Sequence, residues 1–122
     1  GVVHCREIID APSYNKSYSR AMDIIEQQQK KTPSLKVIID LHRDSMITSS
    51  GMEYKVVSEI DGQTCAQLMF VMGTNAGKQR FNEQATTGSM ILECGTSGNT
   101  IQEAEVAIRA FGKKLAEQLT QE

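Results

Sequence analysis

The sequence has no tryptophan, and its 13 basic and 15 acidic side chains are interspersed, leaving a formal net charge of −2 and no basic stripe. That argues against nucleic acid as a partner, since duplex and single strand alike are held first by clustered positive charge. No apolar run approaches the roughly 20 residues needed to cross a bilayer. The amino terminus carries neither a basic n-region nor a cleavage site, so a membrane anchor or export signal is expected outside this chain. Cysteine is scarce and odd in number. Cys5, Cys65 and Cys94 cannot all pair within the chain, and no two of them have the short CxxC spacing that brings two sulfurs to one metal. Each lies in or beside an apolar run, where a buried free thiol behaves as a small hydrophobe. No GxxxxGK[ST] is present, which leaves nucleotide binding without its phosphate loop. Internal repeats and low-complexity segments are also missing.

What remains has the make-up of one globular domain, with 39% hydrophobic and 23% charged residues in 122, enough to bury a core without disulfides. Val2-Val3 reads as a short strand that passes through His4 and Cys5 into a turn at Asp10-Ala11-Pro12. Tyr14, Tyr18, Ala21, Met22 and Ile25 then share one helical face, with Ser13 as N-cap, and the helix must stop before Pro33. Val37-Ile38-Ile39-Asp40-Leu41 has the continuous apolar character of a strand buried on both faces of a parallel sheet. Strand, helix and strand predict a right-handed βαβ unit. Asp61-Gly62 lies between extended runs, Tyr54–Ile60 and Cys65–Met72, and predicts a hairpin. Gly73 to Gln84 is loop-like, and Met90-Ile91-Leu92 is a further buried strand. Thr100 and Glu103 form a capping box that opens an amphipathic helix through Ile101, Ala104, Ile108, Phe111, Leu115 and Leu119. The fold class is α/β, a single domain over residues 1–122 with a mixed, mostly parallel twisted sheet flanked by helices.

In such sheets ligands collect beyond the carboxyl ends of the strands. His42, Arg43 and Asp44 follow directly on Leu41, and Glu93 follows directly on Leu92. An imidazole and a carboxylate at two strand ends are what a hydrolytic zinc site uses, one binding the metal and the other taking a proton from water. The same residues also read as a salt-bridged turn and as a glutamate accepting hydrogen bonds from the loop that follows it. His4 offers a second imidazole, more readily read as structural. Cys94 beside Glu93 suggests a thiol nucleophile, yet a neighbouring carboxylate raises a thiol's pKa rather than lowering it. Gly95-Thr96-Ser97-Gly98-Asn99 precedes a helix N-terminus, a place that receives an anion or a carbonyl oxygen.

Five stretches together resemble a known family: Tyr14-Asn15-Lys16-Ser17-Tyr18-Ser19-Arg20, Ile39-Asp40-Leu41-His42-Arg43-Asp44, Phe70-Val71-Met72-Gly73, Arg80-Phe81-Asn82, and Leu92 through Thr100. They occur in the order found in the stage II sporulation protein P family, cell-wall hydrolases of endospore-forming bacteria similar in fold to zinc-dependent N-acetylmuramoyl-L-alanine amidases. The resemblance implies an amidase-like catalytic domain in which His42 is a Zn2+ ligand and Glu93 the catalytic carboxylate. It implies hydrolysis of the amide between N-acetylmuramic acid and L-alanine, and of peptide cross-links besides. Arg43, Asn82 and Asn99 would contact substrate; Arg43 equally suits bracing Asp40 or Asp44. Peptidoglycan and the engulfment proteins of the sporulating cell envelope would be the partners, outside the cytoplasmic membrane. The family's amino-terminal His-x-His motif with its nearby Glu, which supplies further metal ligands, is expected before Gly1. The family also has a longer segment where this chain has only Thr74 to Gln79. A different class of function on the same scaffold is a non-catalytic module that binds peptidoglycan or a protein.

Overall fold

The computed structural model describes residues 1–72 and 85–121. Their order is a 3-10 turn (Tyr14–Lys16), α1 (Ser17–Lys31), β1 (Val37–Asp44), β2 (Val57–Ile60), β3 (Gln63–Ala66), β4 (Leu68–Met72), β5 (Gly88–Thr96) and α2 (Ile101–Leu119). The loop expected between Gly73 and Gln84, with the Arg80-Phe81-Asn82 motif and the shortened segment before it, lies outside the described residues. The result is an α/β arrangement. Its main sheet is mixed and ordered β1-β5-β4, with one parallel pair, and β2 and β3 form a second sheet of two strands. With one parallel pair, the main sheet is mixed but not mostly parallel. No helix among the described residues is long and apolar enough to cross a membrane.

The chain divides into two compact units, Gly1–Ile38 with Met72–Met90, and Ile39–Val71 with Ile91–Glu122. In the first unit, the strand expected at Val2-Val3 does not form. Residues 1–9 have no regular structure and Val2 is 96% exposed. Two β-branched residues favour extended backbone, but a strand also needs a neighbouring ladder to satisfy its N–H and C=O groups. Without it there is no βαβ unit around α1. Arg20 on α1 instead gathers this segment, donating from Nε to the Ile9 carbonyl (2.7 Å) and from Nη2 to the Ser13 carbonyl (2.6 Å). Ser13 precedes the 3-10 turn and makes no side-chain cap bond among the described residues. The helix ends at Lys31, two residues before Pro33 as expected, and the Thr32 N–H closes it on the Gln28 carbonyl.

The second unit holds the hairpin and the site. β2 and β3 pair antiparallel from Val57 opposite Ala66 to Ile60 opposite Gln63. Asp61 and Gly62 both have positive φ (52° and 74°), the backbone that a two-residue loop needs to match strand twist. The core is made of Cys65, Ala66, Cys94 and Ala107, with Leu68, Ala104, Val106 and Ile108 against it. It is a core of small side chains, which lets α2 approach β3 closely. The Thr100 hydroxyl accepts from the Glu103 N–H (3.1 Å) and Glu103 Oε2 accepts from the Thr100 N–H (2.9 Å), closing the capping box the sequence predicts. Thr100→Ala is expected to cost about 1 kcal/mol in urea unfolding, the usual value of an N-cap hydroxyl.

β5 is the central strand, and its residues Ile91, Leu92 and Cys94 are buried. β1 lies at an edge, which is why it is only half-buried and leaves Leu41 56% exposed rather than covered on both faces. Both strands run further than their apolar residues suggest. β1 continues through His42-Arg43-Asp44 and β5 through Glu93 to Thr96, so the candidate residues stand within strands and not just past their ends.

Candidate functional site

Successive side chains of a strand point to opposite faces, so Asp40, His42 and Asp44 share one face of β1 while Leu41 and Arg43 share the other. His42 Nε2 lies 3.2 Å from Asp40 Oδ1. From β5, next to β1 in the sheet, Glu93 comes close enough for its ionisation to feel His42, Asp44 and Asp40. His42 and Glu93, far apart in sequence, are thereby neighbours across one strand pair.

The Glu93 carboxyl has an unusual setting. Its Oε2 is buried and has no hydrogen-bond partner among the described residues. Burial raises its pKa above the ordinary carboxylate value; the nearby His42 works against that rise, and Asp44 and Asp40 add to it. A carboxylate so raised holds a proton more readily than an exposed one, the property required of a group that takes a proton from water and returns it.

Arg43 and Asn99, expected at substrate, also come together, but to fasten the loop that leads into α2. Arg43 donates from Nε to the Thr96 carbonyl (2.7 Å), and from Nη2 to the carbonyls of Ser97 (3.1 Å) and Asn99. It braces neither Asp40 nor Asp44 through these bonds. Asn99 is 4% exposed, its Oδ1 accepting from the Thr96 N–H (2.9 Å) and its Nδ2 donating to Glu103 Oε2 (3.1 Å). Through Arg43 Nε and Nη2 and the Asn99 amide, both side chains have a structural task here. Asn82 lies outside the described residues. His4 is exposed in the irregular amino-terminal segment. Cys94 is buried in the core, where its thiol faces the Ala104 carbonyl at 3.4 Å and burial pushes its pKa up, so it stays protonated and inert. A shallow cleft of about 340 Å³ borders His42 and is lined mostly by apolar side chains, among them Leu41, Ile101 and Ile108.

Two participants escape a reading of the sequence. Asp40 looks like a lone carboxylate in an apolar run; its signal is the period-two spacing to His42. Lys55 carries no signal, yet its Nζ donates to Glu103 Oε1 at 2.7 Å and ties the segment before β2 to the first turn of α2. Bonds from Lys55, the Thr100 N–H and Asn99 lower the Glu103 pKa to about 2. Glu103 is thus ionised in the fold at a pH where the unfolded chain already binds a proton. Its contribution to stability is complete above the ordinary value of 4.5 and fades as pH falls from there through 2. Melting curves between pH 5 and pH 2 should show this acid sensitivity, and Lys55→Met should weaken it.

A structural or catalytic zinc ion takes at least three protein ligands. Among the described residues no group of three His, Cys, Asp or Glu side chains is placed to hold a metal. His42 is one nitrogen donor, and a closed zinc centre does not fit on the described residues alone.

Comparison with protein families places part of the chain in a known family. Residues 1–79 fit the family model described as Stage II sporulation protein P, a stretch that includes Asp40 and His42 and ends before Glu93. Comparisons with curated proteins and with solved structures give no match.

Proposed function

The chain belongs to the stage II sporulation protein P family, which places it in sporulation, and from that premise we propose that it is a peptidoglycan hydrolase domain of the amidase type. The bond cleaved is the amide between N-acetylmuramic acid and L-alanine, in the envelope outside the cytoplasmic membrane. The observation that carries this reading is the half-buried Glu93 carboxylate, one oxygen unpartnered among the described residues, beside His42. Amide hydrolysis needs an acceptor for the proton of the attacking water and a donor for the departing amine. One carboxyl group with a raised pKa serves both in turn: Glu93 takes the proton as the water oxygen bonds to the carbonyl carbon, then delivers it to the L-alanine nitrogen as the C–N bond breaks. His42 is proposed as one donor to Zn2+. The described residues do not complete the donor set, and no step is assigned to the metal.

The test is incubation of the chain with purified peptidoglycan and Zn2+, followed by mass spectrometry of the soluble fraction. Stem peptides beginning at a free L-alanine amine are expected. Peptides cut within the cross-links would show the second specificity that the family resemblance implies. Sedimentation of the chain with peptidoglycan and no released product would mean a binding module and would end the hydrolase reading.

A further inference from the structure

We propose that two copies of this chain pair through α2, the helices antiparallel, with the carboxyl half of each seated against the amino half of the other. Beside the face that packs on the core through Glu103 and Ala107, a second stripe runs the length of the helix. It consists of Ile101, Glu105, Ile108, Gly112, Leu115 and Leu119, at spacings of four, three, four, three and four. That alternation keeps a seam nearly straight along a helix and is the repeat by which helices pair. Ile101 is 69% exposed and Leu119 51%, and a Cβ at Gly112 would meet no atom within 4 Å among the described residues. At its amino end the seam opens onto the shallow cleft beside Leu41, whose lining includes Ile101 and Ile108. Single exposed apolar residues are ordinary, but a cleft continued by a stripe along one helix marks an interaction surface.

Shape and charge select a second copy as the occupant. A two-fold axis level with Ala110, the middle of Ile101–Leu119, sets Ile101 opposite the other copy's Leu119 and Ile108 opposite its Gly112, a projecting side chain against a missing one. The same operation brings Leu115 and Leu119 of one copy to the cleft of the other. Glu105 and Lys113 are exposed in the amino and carboxyl halves, so antiparallel helices set acid near base twice, whereas parallel helices would align like with like. Glu103 and Lys114 are already engaged within the chain, with Lys55 and Glu117. One helix face and one shallow cleft per copy make an interface at the low end of the usual sizes, about 1,200 Å² or less, so the pairing is weak and concentration-dependent. The two Arg109 side chains approach each other near the axis, which weakens it further.

Sedimentation equilibrium of the whole chain over about 1–500 µM, a range suited to a weak pairing, is the test. Reductant is present so that the exposed Cys5 forms no disulfide. The mean mass should rise with concentration from that of the monomer toward twice that value. Gly112→Glu should weaken the pairing about 10-fold or more, because it sets a charge in the seam. The same change should leave the melting temperature of the dilute monomer unchanged or raised, since glutamate is the better helix former and has open space around it. Glu105→Lys and Lys113→Glu should each weaken the pairing by about 3- to 10-fold, and the double exchange should restore it. A chain that stays monomeric at the upper concentration overturns the proposal. So does association that Gly112→Glu leaves intact, which would put the contact on another face. A lower melting temperature for dilute Gly112→Glu would mean that the chain's own residues cover the seam, and overturns it too. A double exchange that pairs no better than the single ones overturns the antiparallel arrangement and the proposal with it. The pairing does not depend on hydrolysis, and its failure would leave the hydrolase reading untouched.

Discussion

Glu93→Gln is expected to reduce release of stem peptides from peptidoglycan by about 10²- to 10⁴-fold, the usual worth of a general acid–base group. The same variant should unfold in urea at a midpoint equal to or above that of the unsubstituted chain. The reason lies in the cost of the native carboxylate. Burial raises the Glu93 pKa, so the unfolded chain ionises this group at a lower pH than the folded one does. As pH rises past the ordinary carboxylate value of 4.5, stability is therefore lost through this group. Glutamine keeps the shape, removes the charge and escapes that loss. A gain or no change in stability together with a collapse of turnover is the signature of a functional group held at the expense of the fold. A lower midpoint in Glu93→Gln would mark the carboxylate as structural and remove the support on which the hydrolase reading stands.

Gly95→Ala should be the most destabilising single-methyl change near the site, by about 2–4 kcal/mol in urea or thermal unfolding. Gly95 has a φ of 71°, backbone that costs a residue with a side chain about 1 kcal/mol or more. Overpacking of a close-fitted interior adds roughly 1–3 kcal/mol. The clash is well defined: a Cβ there would stand 2.8 Å from the Ala66 Cβ and 2.8 Å from Asn99 Oδ1. Relief requires Asn99 to move, and Asn99 holds Thr96 and Glu103. An unchanged midpoint would show that the end of β5 does not have this backbone.

The parts of the fold legible in the sequence are those whose cause is local. The α2 helix declares itself through the Thr100–Glu103 box and a helical apolar stripe, and the hairpin through Asp61-Gly62, because positive φ at both positions is a property of the residues themselves. Pro33 stops α1 for an equally local reason. Where a neighbour decides, the reading fails. Val2-Val3 has strand propensity and no strand. His42-Arg43-Asp44 has little strand propensity and yet forms one, since β5 runs alongside and the Asp44 carbonyl accepts from the Ser97 N–H at 2.9 Å. The site divides in the same way. His42 and Glu93 were recognisable as residue types suited to hydrolysis, but both also fitted structural readings, and only the family resemblance favoured the first. Arg43 and Asn99 are harder to read, because a guanidinium and an amide are as useful for gathering loop carbonyls and N–H groups as for gripping a ligand, and the loop bonds they make depend on a turn whose shape no spacing reveals.

The unequal placement of the three thiols gives the molecule a built-in unfolding gauge. Cys65 and Cys94 are enclosed in the core while Cys5 stands in the open. A maleimide should therefore modify one sulfur quickly in the native chain and reach the other two only at the rate of global opening. Under an added oxidant the same asymmetry restricts cross-linking to Cys5, so intermolecular disulfides would tether intact copies without disturbing the packing beneath α2.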